Sequence, residues 1–271
     1  MLKWVTVETA RVGNSEFALA SHGDDFVVRV DGRVLMSNRV HESEISLAEE
    51  AIDRASDPRH VLVGGLGLGF TLRATLDLLP EDARVTVAEL VPEIVRWNRT
   101  HLKHLHDDAL ADPRCDVVVG DAFDVLRDHA RTFDVILLDV DNGPQALSQE
   151  ANHRLYDDGG VRACWNALTP GGVLAVWSAG PMAKFTARLA RGGFDAEELR
   201  VPARSGGGAK HVLFLGTRRA RPDAPRRKRW GRAPSAPRRA ADRLPPMNTL
   251  REDLARALAT LPHEEALGRL V

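Results

Sequence analysis

The run Val61-Leu62-Val63-Gly64-Gly65-Leu66-Gly67-Leu68-Gly69-Phe70 limits most strongly what this chain can fold into. A short apolar strand that ends in glycines at alternate positions, and passes at once into a helix over Thr71–Leu79, is a turn where the backbone bends sharply. There a ligand can lie against main-chain atoms. The surrounding sequence repeats the same grammar from His60 to about Arg218. Apolar strand-sized runs recur at Arg84–Ala88, Asp116–Val119, Val135–Leu138 and Val173–Trp177, separated by helix-length stretches. Runs of this kind suit parallel strands covered on both faces, so a doubly wound, Rossmann-like α/β sheet is expected. Asp195–Val201 and His211–Gly216 read as a closing antiparallel pair.

Two acids sit where such a turn would use them. Glu89 ends the second strand about twenty residues beyond the glycines, where a carboxylate accepts hydrogen bonds from ribose hydroxyls. Asp121, in Gly120-Asp121-Ala122, follows the third strand and is suited to an adenine amino group. Taken singly, each acid is better explained as a helix N-cap or a solvated loop residue. Jointly with the turn, they point to a nucleoside cofactor held by Gly65, Gly67, Leu68, Gly69, Glu89, Asp121 and Ala122.

The chain divides by texture into four segments. Residues 1–57 read as a β-rich unit with a helix, marked by Phe26–Val30, the hairpin signal Asp31-Gly32, Arg33–Met36 and an amphipathic stretch Ser43–Arg54. Residues 58–217 form the sheet domain. Residues 218–247, rich in arginine and proline, read as a disordered linker, and 248–271 as an amphipathic helix. The basic linker raises nucleic-acid binding as a rival function, as in an RNA methyltransferase, but Trp230 is the lone aromatic in it and a plain tether is preferred. A formal net charge of −1 gives the whole chain no such preference.

Other classes are disfavoured. The opening Met1–Glu8 has no long apolar run, and no apolar stretch reaches the ~20 residues that span a bilayer, so a cytoplasmic protein with no membrane partner is expected. Cys115 and Cys164 have no metal-ligand spacing and read as reduced, buried residues. His101, His104 and His106 invite a metal reading, yet surface histidines beyond an amphipathic helix explain them more simply, and no metal is expected. Abundant arginine and alanine with sparse lysine suggest a GC-rich bacterial source.

Residues 26–216 resemble the polyamine aminopropyltransferase (spermidine synthase) family. The resemblance is carried by His41-Glu42, by Gly65–Phe70 with Thr71-Leu72-Arg73, by Phe133–Leu138 with Asp139-Val140-Asp141-Asn142-Gly143-Pro144, by Leu155-Tyr156, and by Leu168–Val173. It implies a class I methyltransferase type of sheet with an antiparallel last strand and a small N-terminal β unit. It also implies a donor derived from S-adenosylmethionine, a small-molecule amine acceptor, and a homodimer as the assembly common among members. Asp139 is the expected base, with Asp141 holding the cationic substrate. His41, Glu42 and Trp177 are the expected acceptor-side residues.

Three departures matter. Val40 replaces the tyrosine before His41, and the loop after Asp139 is short. Most consequentially, the aspartate that the family places in the glycine turn falls on Leu68. In the family that carboxylate pairs with the ammonium of decarboxylated S-adenosylmethionine, whereas intact S-adenosyl-L-methionine adds a carboxylate that an acid would repel. The sequence reading therefore expects N-methylation of a small cationic metabolite from S-adenosyl-L-methionine. Aminopropyl transfer from the decarboxylated donor is its alternative.

Overall fold

The structure is a computed structural model describing residues 3–12, 15–140, 153–182, 184–204 and 208–219. The arginine- and proline-rich segment beyond these, the terminal amphipathic stretch and Asp141 lie outside the described residues.

The chain opens with an antiparallel meander, β1 (Val5–Val12), β2 (Ser15–His22), β3 (Asp25–Val30) and β4 (Arg33–Ser37), paired in that order. The β3–β4 turn is the expected hairpin. Asp31 and Gly32 both have positive φ (49° and 78°), as a two-residue turn matching the strand twist requires. The Asp31 carboxylate ties this turn back to β2 by accepting from the Ser15 hydroxyl (2.9 Å) and the Glu16 N–H (2.8 Å). Helix α1 (Glu42–Arg54) follows, with Leu47, Ala48 and Ala51 fully buried on its inner face.

The second sheet is built from β5 (His60–Gly64), β6 (Arg84–Glu89), β7 (Cys115–Val119), β8 (Phe133–Leu138), β9 (Leu168–Ser178), β10 (Phe194–Pro202) and β11 (Lys210–Arg218). Its order is β10-β11-β9-β8-β5-β6-β7, parallel from β7 through β9, with β11 antiparallel to both β9 and β10. Helices α2 (Phe70–Leu78), α3 (Pro92–Thr100), α4 (Ala122–Asp128), α5 (His153–Tyr156), α6 (Asp158–Ala167) and α7 (Phe185–Arg191) connect the strands. Val61, Leu62, Val63 and the Val135–Leu138 run are essentially without exposure, because β5 and β8 lie at the centre with apolar cover on both faces. One face packs on the N-terminal unit, α1 and α2, the other on α4, α6 and α7. No helix among the described residues is long and apolar enough to cross a membrane.

This order puts the topological switch point between β5 and β8, where the chain leaves in opposite directions and a crevice opens at the strands' carboxyl ends. The backbones there come very close. Gly64 O accepts from Asp139 N (2.8 Å), and a Cβ on Gly65 would lie 2.3 Å from the Asp139 carbonyl oxygen. Gly65 also has φ +90°.

Gly65→Ala is expected to lose more than the ~1–2 kcal/mol that a left-handed backbone costs an L-residue, since the clash is with backbone that cannot swing away. Gly32→Ala, equally left-handed but facing open space, should lose only that conformational cost. Urea denaturation of the two variants side by side checks the difference.

Candidate active site

Alternate positive φ values at Gly65, Gly67 and Gly69 (90°, 55° and 87°) carry the chain from β5 over the sheet edge into α2, with Gly69 as the helix N-cap. The turn is fixed from outside. Glu89, at the carboxyl end of β6, accepts from Leu66 N (2.9 Å) and Val91 N (2.8 Å) and is almost fully buried. Burial pushes its carboxyl above the usual range, and the backbone N–H groups aimed at it pull the other way. From α3, the Asn98 side-chain amide donates to Gly67 O (2.9 Å). Asp121 caps α4 by accepting from Phe123 N (2.8 Å), while buried Ala122 packs close to Gly64. Glu89 and Asp121 thus stand on neighbouring strand ends, bridged by a Gly120 N to Glu89 O bond (2.9 Å).

On the other side of the turn, the described lining of a cleft of about 240 Å³ includes Met36, Val40, Glu44, Gly67, Leu68, Asp139, Trp177 and His211. Sheet, turn, α1 and the N-terminal meander all contribute to it. Asp139 follows β8 directly and accepts from the Thr71 hydroxyl (2.5 Å). Loss of water raises its carboxyl pKa to about 6, with the Thr71 bond opposing. Glu44, one turn into α1, is raised well above the ordinary range by burial and by the negative charge of Asp139. Trp177, at the end of β9, donates its indole N–H to Ser43 Oγ (2.9 Å), and that oxygen lies 2.7 Å from His211 Nδ1.

The expected site residues therefore fall into groups. Gly67, Leu68, Asp139 and Trp177 share the cleft, whereas Gly65, Gly69, Glu89, Asp121 and Ala122 form the turn and the strand ends beside it. His41 and Glu42 are not in the described lining. His41 bonds Asn38 O through Nδ1 (2.8 Å) and stacks on Phe70 with centroids 4.3 Å apart, at the entry of α1. The acid that reaches the cleft is Glu44, two residues later. In the sequence nothing sets it apart from Glu42, Glu49 and Glu50 on the same helix. Nor does anything in a serine on a helix or a histidine near the start of an inner strand mark Ser43 and His211 as site residues. The reading of His101, His104 and His106 as surface residues needs correcting at one position. His101 pairs with Glu8 (3.1 Å) and His104 meets Phe26, but His106 is buried beneath Gly69.

The strand order, the glycine turn and the antiparallel final strands define a Rossmann-like α/β fold of the methyltransferase type with a β-rich N-terminal appendage. Within that class the chain belongs to the spermine/spermidine synthase domain family, whose pattern it matches over residues 42–184. It is 30% identical over 187 residues to a polyamine aminopropyltransferase of Aeropyrum pernix, covering 64% of this chain and 58% of that protein. It is 33% identical over 162 residues to polyamine aminopropyltransferase 2 of Pseudomonas aeruginosa, covering 56% and 43%. The chain thus spans about half the length of these curated relatives. A crystal structure of spermidine synthase from Thermotoga maritima shares the fold, with a TM-score of 0.65 at 18% identity over 78% of this chain and 72% of that one. A spermidine synthase in complex with the transition-state analogue AdoDATO gives 0.66 at 20% over 78% and 73%.

These relatives overturn the expectation of N-methylation, which rested on Leu68 alone. The physical flaw in that expectation is visible in the cleft. Removing an acid at position 68 does not free the site of carboxylates, because Glu44 and Asp139 both face it.

The shift at Asp139 has a consequence for stability. The unfolded carboxyl releases its proton near 3.8 and the folded one near 6, so its protonated form favours the fold below 3.8 and that contribution is lost as pH rises through 6. Asp139→Asn should accordingly be more stable than the parent at pH 8 and lose that advantage at pH 4, measured by thermal melts across the range.

Proposed function

We propose that the chain is a transferase that moves the aminopropyl group of decarboxylated S-adenosylmethionine onto a small amine. The observation that carries this reading is the cleft beside the glycine turn, where two carboxyl groups, Glu44 and Asp139, meet an aromatic wall at Trp177. Such a lining favours a donor and an acceptor that are both cationic, and repels the carboxylate of intact S-adenosyl-L-methionine. The names of the relatives support the same conclusion.

The residues suit the nucleoside end. Glu89, anchored at the carboxyl end of β6 by backbone N–H groups, is the acid placed to accept from a ribose hydroxyl. Asp121 serves the adenine amino group, and the Gly65–Gly69 turn lets the sulfonium region approach the main chain. The donor supplies an electrophilic methylene bonded to a positive sulfur. The amine nitrogen forms its bond to that carbon as the carbon–sulfur pair returns to sulfur, leaving a neutral thioether, and the amine proton passes to Asp139. The chain's own task is alignment and keeping the nitrogen lone pair available. A carboxyl with a pKa near 6 is largely ionised at neutral pH and still basic enough to take that proton. Asp141 belongs to the same reading as an electrostatic holder of the acceptor, and a homodimer as its assembly. The cytoplasm is the compartment assumed, in keeping with the free thiols of Cys115 and Cys164.

Calorimetric titration should show tight binding of decarboxylated S-adenosylmethionine and weak binding of the intact compound; the reverse order would reject the reading. With putrescine as acceptor, the rate should climb with pH through about 6 as Asp139 ionises. Asp139→Asn should remove that limb and slow turnover by ~10²- to 10⁴-fold.

A further inference from the structure

The cleft beside the glycine turn carries unbalanced charge. An indole N–H can only donate, so Ser43 Oγ accepts from Trp177 (2.9 Å), and the same oxygen lies 2.7 Å from His211 Nδ1. Burial lowers the His211 imidazole pKa, which favours the neutral ring. The described lining holds no lysine or arginine, so nothing in it offsets the two carboxyl groups.

Those two acids differ in their partners. Asp139 is engaged by the Thr71 hydroxyl. Glu44 is partly buried and faces a like charge, yet its carboxyl has no hydrogen bond or ion pair among the described residues. The glycine turn itself offers the cleft only Gly67 and the apolar Leu68.

We infer that Glu44 binds the terminal ammonium of the aminopropyl donor, while Leu68 and Met36 line the apolar path of its methylenes. The assignment rests on the aminopropyl-transfer reading and adds to it the residue that selects the donor. A carboxylate partly withdrawn from water beside a second one is stabilised by a nearby cation, and an arm that ends in an ammonium brings one. Three methylenes ending in an ammonium satisfy both Leu68 and Glu44, whereas an arm ending in an amino acid would set a carboxylate against Glu44.

Calorimetry with three ligands tests this: decarboxylated S-adenosylmethionine, the intact compound, and 5′-methylthioadenosine, which keeps the nucleoside and lacks the arm. If the parent protein shows no preference for the decarboxylated donor, the aminopropyl reading falls and this assignment with it. Given that preference, Glu44→Gln should weaken the decarboxylated donor by roughly 10- to 100-fold, the range of a charge-assisted hydrogen bond. Methylthioadenosine affinity should stay unchanged, and the ligand-free melting temperature should hold or rise because repulsion with Asp139 is gone. Unchanged donor affinity, or equal loss on donor and methylthioadenosine, overturns the role of Glu44 while leaving aminopropyl transfer standing. Should the glutamine variant fail to fold, Glu44→Asp, with its charge on a shorter arm, carries the same comparison under the same criteria.

Discussion

The rest of the structure hangs on how closely two strand ends approach each other. β5 and β8 run parallel at the centre of the sheet, and immediately past their ends Gly65 and the Asp139 carbonyl meet at a distance that leaves no room for a side chain. That contact sets the glycine turn against the residue proposed as base, and it works only because the second glycine of the turn adopts φ +90° without steric cost. Glu89 completes the clamp from β6 by accepting main-chain N–H groups from the glycine turn after β5 and from the loop that follows its own strand. The turn's shape is thus imposed by its neighbours, with glycine supplying only the permission to adopt it.

Much of this was legible in the order of residues. Apolar runs bounded by turns marked all seven strands of the large sheet, and the placement of Glu89 and Asp121 at strand ends followed from the same punctuation. What could not be read was how a helix from one sheet's appendage faces the carboxyl edge of the other. Glu44 and Ser43 lie in α1, far in sequence from Asp139, Trp177 and His211, and only tertiary packing brings them together. β1 was not legible as a separate strand, because Val5–Val12 is largely exposed and shows no fully buried face.

Position 68 shows how a single substitution misleads when its surroundings are unknown. On sequence alone, a leucine in place of an acid changes the charge of the site, and hence the group transferred. In the folded chain Leu68 is buried at the base of a cleft whose charge is set by other elements. Electrostatic character belongs to the enclosed volume and all the groups that face it, so one wall can lose an acid without altering what the volume prefers. The same reasoning applies to His211: burial lowers its imidazole pKa and favours the neutral ring, so it adds little positive charge to the cleft.

The position of β11 gives the cleft an order of assembly. β11 slots between β9 and β10, and His211 sits near its start, so this wall comes from the last strand the ribosome delivers among the described residues. A nascent chain that has emerged only through β9 already carries the glycine turn, Glu89, Asp121 and Asp139. The wall that His211 forms is added only when β11 pairs with β9. A chain cut short before residue 211 would therefore lack one wall of the cleft together with the strand that joins β9 to β10.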